Sequence, residues 1–374
     1  MLKSKIPSGS DTFHANTANT TYHMGENADI DASVIGIDIS GTATGRRIEI
    51  DGAIHALRAV SVGTGIEPAP RVELFIGKDA ELDGANEGVV FYGSDLVMRN
   101  AGEISGSTGV EIHGAVNLVN TGEISGLNAI NFYGEAGAHI LRNAGTIIGS
   151  VNGDGGRAIY GSSQIEKVTN TGTIHGDVDL GGGSDMFIFK SGKVTGDVAG
   201  GEGSDVYVVR KAGLNIVENF DEGTDMVFSS IKFELQANVD DLQLTGGKDI
   251  DAIGNGGNNW LHGNAGKNLV YGWYGNDSLN GGKGNDILTG GAGTDSFNFD
   301  RGTGRDVITD YEAGSDDIYL GSLKGHKDFD DMVAHHVDEK ANGDLWITYG
   351  KDTVVLRDTD VAGLNSGDFY FDAS

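Results

Sequence analysis

The sequence predicts an all-β chain: a parallel β-solenoid (β-helix) that runs into a flattened helix of nine-residue half-turns and closes with a small mixed segment. Three observations predict it. Glycine supplies 62 of the 374 residues and proline only 3. That fits neither collagen, with its three-residue period and abundant proline, nor an ordinary globular mixture. Short stretches alternate apolar and polar residues between Asn-Gly-type turns, which is strand patterning. The chain also repeats itself with two periods, one near 20 residues and one of nine, as stacked coils require.

Residues 1–46 are rich in Ser, Thr, Asn and Gly without a clear period and are expected to form an arm or cap. Alternation begins with "IEIDGAIHALRAV" and "VELFIGKDAELDG", separated by a turn containing "EPAP". Residues 47–180 then read as solenoid. Four related corners, "NAGEISG", "NTGEISG", "NAGTIIG" and "NTGTIHG", start at Asn100, Asn120, Asn143 and Asn170, spaced by 20, 23 and 27 residues. A coil of that length buries its inward aliphatics on its neighbours, each worth about 1.5–3 kcal/mol. The four asparagines can stack as a ladder or serve as corner residues that tolerate left-handed backbone.

From Gly181 the coil length persists while the signature changes. "GGGSDMFIF", "GGEGSDVYVV" and "FDEGTDMVF" place Asp185, Asp205 and Asp225 at 20-residue intervals. Residues 254–299 then keep a nine-residue period: "GNGGNNWLH", "GNAGKNLVY", "GWYGNDSLN", "GGKGNDILT", "GGAGTDSFN". The sixth positions are Asn259, Asn268, Asp277, Asp286 and Asp295, and the eighth are Leu261, Val270, Leu279, Leu288 and Phe297. Six residues of glycine-rich turn and three of strand make half a coil, so residues 18 apart stack: Asp277 with Asp295, Asn268 with Asp286, Asn259 with Asp277. Carboxylates stacked at ~4–5 Å repel by several kcal/mol at an effective dielectric near 20. A compact fold needs a cation between them. Ca²⁺ takes 6–8 oxygens from carboxylates and backbone carbonyls, and glycine turns at Gly275, Gly282, Gly284, Gly291 and Gly293 bare their carbonyls and accept positive φ. Asp185, Asp205 and Asp225 are further candidate ligands, or a solvated acidic corner.

These nonapeptides resemble GGxGxDxUx, the calcium-binding repeat of the RTX (hemolysin-type) proteins. The resemblance extends over roughly residues 181–374, because the order from "GGEGSDVYVV" through "VDDLQLTG" to the nonapeptides is also similar to large secreted RTX proteins. It implies a Ca²⁺-binding β-roll over 181–299, export through type I secretion machinery, folding outside the cell, and an extracellular or cell-surface location. It also implies that residues 300–374 act as cap and secretion signal. Where the family has Asp, Asn259 and Asn268 offer one neutral oxygen, so sites that use them should be weaker. In the C-terminal segment, "HKDFDDMVAHHVDEKANG" places Phe329, Met332, Val333 and Val337 on one helical face and "DLWITYGKDTVVLRD" reads as a hairpin.

Composition narrows the partners. Formal charge is −29, from 55 acidic and 26 basic residues, which disfavours nucleic acid and favours cations. Cysteine is absent, so disulfides and thiolate metal sites are excluded. No apolar run approaches the ~18 residues of a membrane span, and the first 20 residues lack the apolar core of a cleavable leader. There is no HExxH zinc helix, and "GNAGKN" lacks the spacing of a phosphate loop. His113, His139, His175 and His262 fall at separate strand or turn positions, and His335 and His336 are adjacent, which points them apart on a helix. The leading expectation is a secreted, non-enzymatic Ca²⁺-binding protein with a structural, adhesive, matrix or S-layer-like role, and with self-association or surface polysaccharide as further partners. The alternative is a polysaccharide-modifying β-helix enzyme (lyase, epimerase or hydrolase) with Glu103, Glu111, Glu123, Glu135, Asp154 and Arg157 on its groove and Tyr92, Tyr133 and Tyr160 stacking on sugars.

Overall fold

The computed structural model describes every residue except 1, 10–11, 16, 40–43, 64–70, 135–136, 151–155, 322, 324–327 and 372–374, and for 2–5 the backbone alone. The "EPAP" turn, Glu135 and Asp154 lie outside the described residues. The chain forms two compact units, Met1–Val206 with Gly213–Val217, and Tyr207–Ala212 with Glu218–Ser374.

The first unit is a parallel solenoid. One coil comprises the strands Asp95–Asn100, Glu103–Ser105 and Thr108–Ile112, and the next opens at Ala115–Asn120. Each strand pairs in parallel with its counterpart one coil away. Alternation decides which side chains face inward, and register stacks them into columns. Ile48, Leu74, Met98, Leu118, Leu141, Val168 and Phe187 form one such column, and each is fully buried. Ile54, Leu82, Ile104, Ile124, Ile147 and Ile174 form another on the second wall.

The asparagines are a ladder. Met24, Ile50 and Ile76 precede Asn100, Asn120, Asn143 and Asn170 in one inward column, and Phe189 follows them. Nδ2 of each of the first three donates to Oδ1 of the next at 2.9 Å. The same amides reach corner carbonyls, for example Asn120 Nδ2 to Thr146 O at 3.0 Å. None of the four has positive φ, so hydrogen bonding inside the coil, and not left-handed tolerance, accounts for them.

A neighbouring inward column changes chemistry along the chain. Val72, Leu96 and Val116 are followed in register by His139 and Glu166, and Lys167 opposite Met186 puts Asp185 next. Aliphatic packing thus gives way to ionisable groups before the aspartate repeats begin.

The second unit is a roll of two facing parallel sheets. Val227, Leu242, Leu261, Leu279, Phe297, Ile318 and Phe369 align on one. Ala252, Val270, Leu288, Ile308 and Leu356 align on the other. The C-terminal segment covers both edges: Phe369–Tyr370 pairs with Asp317–Tyr319, and Asp352–Leu356 pairs with Arg305–Ile308 before turning into an antiparallel hairpin with Leu345–Tyr349. A covered edge cannot recruit another strand. The helix is shorter than its sequence pattern suggests. It spans Phe329–His335 with Asp328 as N-cap, and Val337 belongs instead to a strand that pairs with Ile347. Phe329 packs on Phe369, ring centroids 5.4 Å apart.

Replacing Asn120 with Ala strips a buried donor from Asn143 and a buried acceptor from Asn100. The expected cost is about 2–4 kcal/mol, at roughly 1–3 per orphaned group, read from the shift of the urea midpoint. A loss under ~0.5 kcal/mol, the range of ordinary surface changes, would mean that the ladder contributes nothing.

Candidate metal centre

Each nonapeptide places its sixth residue where the turn enters the strand. The eighth-position residue buries in the core, and alternation points the sixth inward beside it. The second- and fourth-position glycines bend the turn: φ is +83° at Gly282, +148° at Gly284, +105° at Gly291 and +146° at Gly293, with Gly275 at +105°. Trp273 occupies the second position of its turn at φ +88°, a conformation that costs a bulky residue about 1–3 kcal/mol.

The register links turns 18 residues apart. The amide of Asn259 donates to Asp277 Oδ1 at 2.7 Å, that of Asp277 to Asp295 Oδ1 at 2.8 Å, and that of Asn268 to Asp286 Oδ1 at 2.8 Å. One oxygen of each carboxylate is therefore tied to the coil before it. The other is not: Asp277 Oδ2 and Asp286 Oδ2 are buried with no hydrogen-bond partner. The space beside them is closed to side chains. A Cβ on Gly272 would lie 2.1 Å from Asp277 Oδ2 and 2.4 Å from Gly290 O, one on Gly281 2.6 Å from Asp286 Oδ2, and one on Gly290 2.2 Å from Asp295 Oδ2. Carboxylate oxygens and bare carbonyls thus converge in a cradle that only glycine permits. This donor set, all oxygen and part of it anionic, suits a hard divalent cation.

The two asparagines behave differently. Asn259 Nδ2 donates to Asp240 O at 3.0 Å and Asn268 Nδ2 to Ile250 O at 2.6 Å, while their Oδ1 atoms accept from Asn255 N and Asn264 N, both at 2.8 Å. An amide here satisfies carbonyls of the preceding coil with its own N–H groups, where a carboxylate leaves them to a cation.

The column also reaches beyond the sequence expectation. The amide of Asp286 donates to Asp306 Oδ1 and that of Asp295 to Asp316 Oδ1, each at 3.0 Å, and both new carboxylates are buried. Their signal was present in "GTGRDVI" and "EAGSDDIYL", which keep Gly fourth, Asp sixth and an apolar residue eighth. Asp352 closes this end by accepting from Gly302 N at 3.0 Å and Gly304 N at 3.1 Å. In the second unit Asp225 is buried and its amide donates to Asp240 Oδ2 at 2.7 Å. In the first unit the amide of Asp185 donates to Asp205 Oδ1 at 2.7 Å, and both residues are buried.

Burial, ahead of neighbouring charge, pushes Asp277 up to about 7 and Asp286 to about 6, against the pull of the backbone amides they accept. Asp306 rises to about 7 and Asp316 to about 6 for the same reason. An unfolded carboxyl titrates near ~4, so without cation the fold holds protons that the unfolded chain has released. Stability then falls as pH rises through that window. In EGTA the melting temperature is expected to drop between pH ~5 and ~8, and Ca²⁺ at pH ~8 to restore it. A calorimetric melting temperature that is flat or rising over this range in EGTA would contradict the assignment.

Residues 253–288 and 274–308 match the RTX calcium-binding nonapeptide repeat, a family unit of four copies. Among curated proteins no relative matches the sequence. Among solved structures, the AlgE6R3 subunit of the Azotobacter vinelandii mannuronan C5-epimerase is similar at 26% identity, over 34% of this chain and 80% of that one, with a TM-score of 0.30. The extracellular lipase LipA of Serratia marcescens is similar at 17% identity, over 56% of this chain and 39% of that one, with a TM-score of 0.29. No helix among the described residues is long and apolar enough to cross a membrane. Residues 253–308 are RTX calcium-binding repeats, and the buried carboxylate column is their hallmark in this chain.

Proposed function

We propose that the chain is a secreted protein whose roll closes around Ca²⁺ outside the cell, where its solenoid serves a structural, adhesive, matrix or S-layer-like role. The observation that carries this reading is the pair of buried, unpartnered oxygens Asp277 Oδ2 and Asp286 Oδ2. The ions would sit between neighbouring turns, held by Asp277, Asp286 and Asp295 with carbonyls of the glycine turns around Gly275, Gly282, Gly284, Gly291 and Gly293. Bound Ca²⁺ neutralises the stacked carboxylates and takes up the oxygens left open by the backbone. A ligand bound only by the folded state stabilises it by about 1.4 kcal/mol per site at tenfold excess over Kd, hence ~4 kcal/mol for three sites. At the low Ca²⁺ of a cytosol this contribution vanishes. An incompletely folded chain would suit export through a type I channel, with residues 300–374 then supplying the cap on which the roll closes.

The test is a Ca²⁺ titration of the whole chain followed by circular dichroism and light scattering. Excess EGTA is expected to reduce strand signal and lower the melting temperature by about 8–16 °C, taking 2–4 °C per kcal/mol. Asp277→Ala with Asp295→Ala should reproduce much of that loss at saturating Ca²⁺. Unchanged melting in EGTA and in the double variant would remove the reading.

A second reading, a polysaccharide-modifying enzyme, draws on one cluster in the first unit. Outward-facing Glu111 accepts from His113 Nε2 at 2.7 Å and from the Tyr92 hydroxyl at 3.4 Å. The tyrosines already have ring partners, although Tyr133 and Tyr160 stay 46% and 36% exposed. Tyr92 stacks on His113 at 4.2 Å and His113 on Tyr133 at 5.2 Å, and Arg157 lies over the Tyr160 ring at 5.0 Å. Unsaturated uronate release or viscosity loss from alginate or pectin, abolished by Glu111→Gln, would favour this reading over the first.

A further inference from the structure

We propose that the first unit holds its own divalent cation, Ca²⁺, upstream of the family repeats, between the turns 161–166 and 180–185, with Glu166 and Asp185 as carboxylate ligands. The inference rests on the calcium reading above and extends it to Glu166, a residue outside the aspartate repeats.

Register supplies the first argument. Ser162 lies opposite Gly181 and Lys167 opposite Met186. The residues between them number the same on both sides, so Glu166 lies opposite Asp185. The next coil continues the match, with Gly182 opposite Glu202 and Gly183 opposite Gly203. "GSSQIEKVT", residues 161–169, therefore occupies a nonapeptide frame with Gly161 first, Glu166 sixth and the buried Val168 eighth. The backbones approach as closely as in the repeats. A Cβ on Gly181 would meet Ser162 O at 2.2 Å, and one on Gly183 would meet Gln164 O at 2.3 Å.

Hydrogen bonding supplies the second. Glu166 Oε1 accepts from Ser162 N at 3.0 Å and Ser162 Oγ at 2.6 Å, and pairs with His139 Nδ1 at 2.8 Å. Asp185 Oδ1 accepts the Glu166 amide at 2.7 Å. One oxygen of each carboxylate is thus fully engaged. The second oxygens, Glu166 Oε2 and Asp185 Oδ2, are buried with no partner, and the residues are 0% and 2% exposed. This is the division seen at Asp277 and Asp286: one oxygen for the protein, one left open in a site closed to water. Two buried carboxyl oxygens from successive rungs, with carbonyls of a tight turn between, form a hard-oxygen donor set. His139 holds Glu166 from the rung below and is itself stacked on Phe132 at 4.7 Å. Beneath it Val116 and Leu96 return the column to hydrocarbon, so the cation column ends at Glu166.

Crystals of the unaltered chain grown with Tb³⁺ test this by anomalous scattering. A peak between Glu166 and Asp185, in addition to peaks beside Asp277 and Asp286, is expected. Equilibrium dialysis of the full chain with ⁴⁵Ca²⁺ should show Glu166→Gln binding one ion fewer than the unaltered chain, and Asp277→Asn should lower the count independently. Peaks at the nonapeptides with none at Glu166 would overturn this inference alone. Peaks nowhere would overturn the calcium reading with it. Should Glu166→Gln fail to fold, the map of the unaltered chain still decides.

Discussion

A buried carboxylate that accepts a backbone amide from the preceding coil with one oxygen and leaves the other open is the interaction on which this protein depends. It makes register and electrostatics the same problem. The hydrogen bond from the Asp277 amide to Asp295 Oδ1, or from the Asn268 amide to Asp286 Oδ1, sets how consecutive turns stack. The same stacking brings anionic oxygens into a dry column where, uncompensated, they are costly. Protons or a divalent cation can compensate them, and only the cation also uses the carbonyls bared by the glycine turns. Protonation and register act on one column of oxygens, and a bound cation would act on the same column.

The first unit shows how such a column is started. A solenoid can change the chemistry of one inward column without disturbing its neighbours, since each column is stacked by register alone. The column Val72, Leu96, Val116 becomes His139, Glu166 and Asp185, while the adjacent one stays apolar from Ile48 to Phe187. The asparagine column from Asn100 to Asn170 is the neutral version of the same idea. Amides carry both donor and acceptor, so they close a ladder among themselves. Asn259 and Asn268 repeat it in the roll, where their amide nitrogens serve carbonyls that a carboxylate cannot. Amide and carboxylate therefore differ: the first closes a rung with its own donors and acceptor, and the second leaves one oxygen open at Asp277 and Asp286.

Parallel coils leave an open edge on each sheet of the roll. Asp352–Leu356 and Phe369–Tyr370 cover the two edges at the C-terminal end, and Asp352 supplies acceptors for the last glycine amides. The cap thus completes both the strand pairing and the hydrogen bonding of the final half-coils.

The repeat periods by themselves determined the all-β class, the parallel stacking, the 18-residue partners of the roll and the aspartates at its sixth positions. Period and residue type are local, and stacking follows arithmetically from them. Asp306 and Asp316 were legible too, but insertions lengthen their spacing to 20 and 21 residues and hide them from a strict nine-residue count. The helix was overread because Val337 is drawn into strand pairing with Ile347, a non-local contact that outweighs local helical spacing. Only the tertiary structure decided the pairing of Glu166 with His139, the mutual bonding of the asparagines and the stacking of Tyr92 and Tyr133 on His113. Each of these depends on which residues register places one coil apart, and irregular coils of 20 to 27 residues conceal that until the strands are paired.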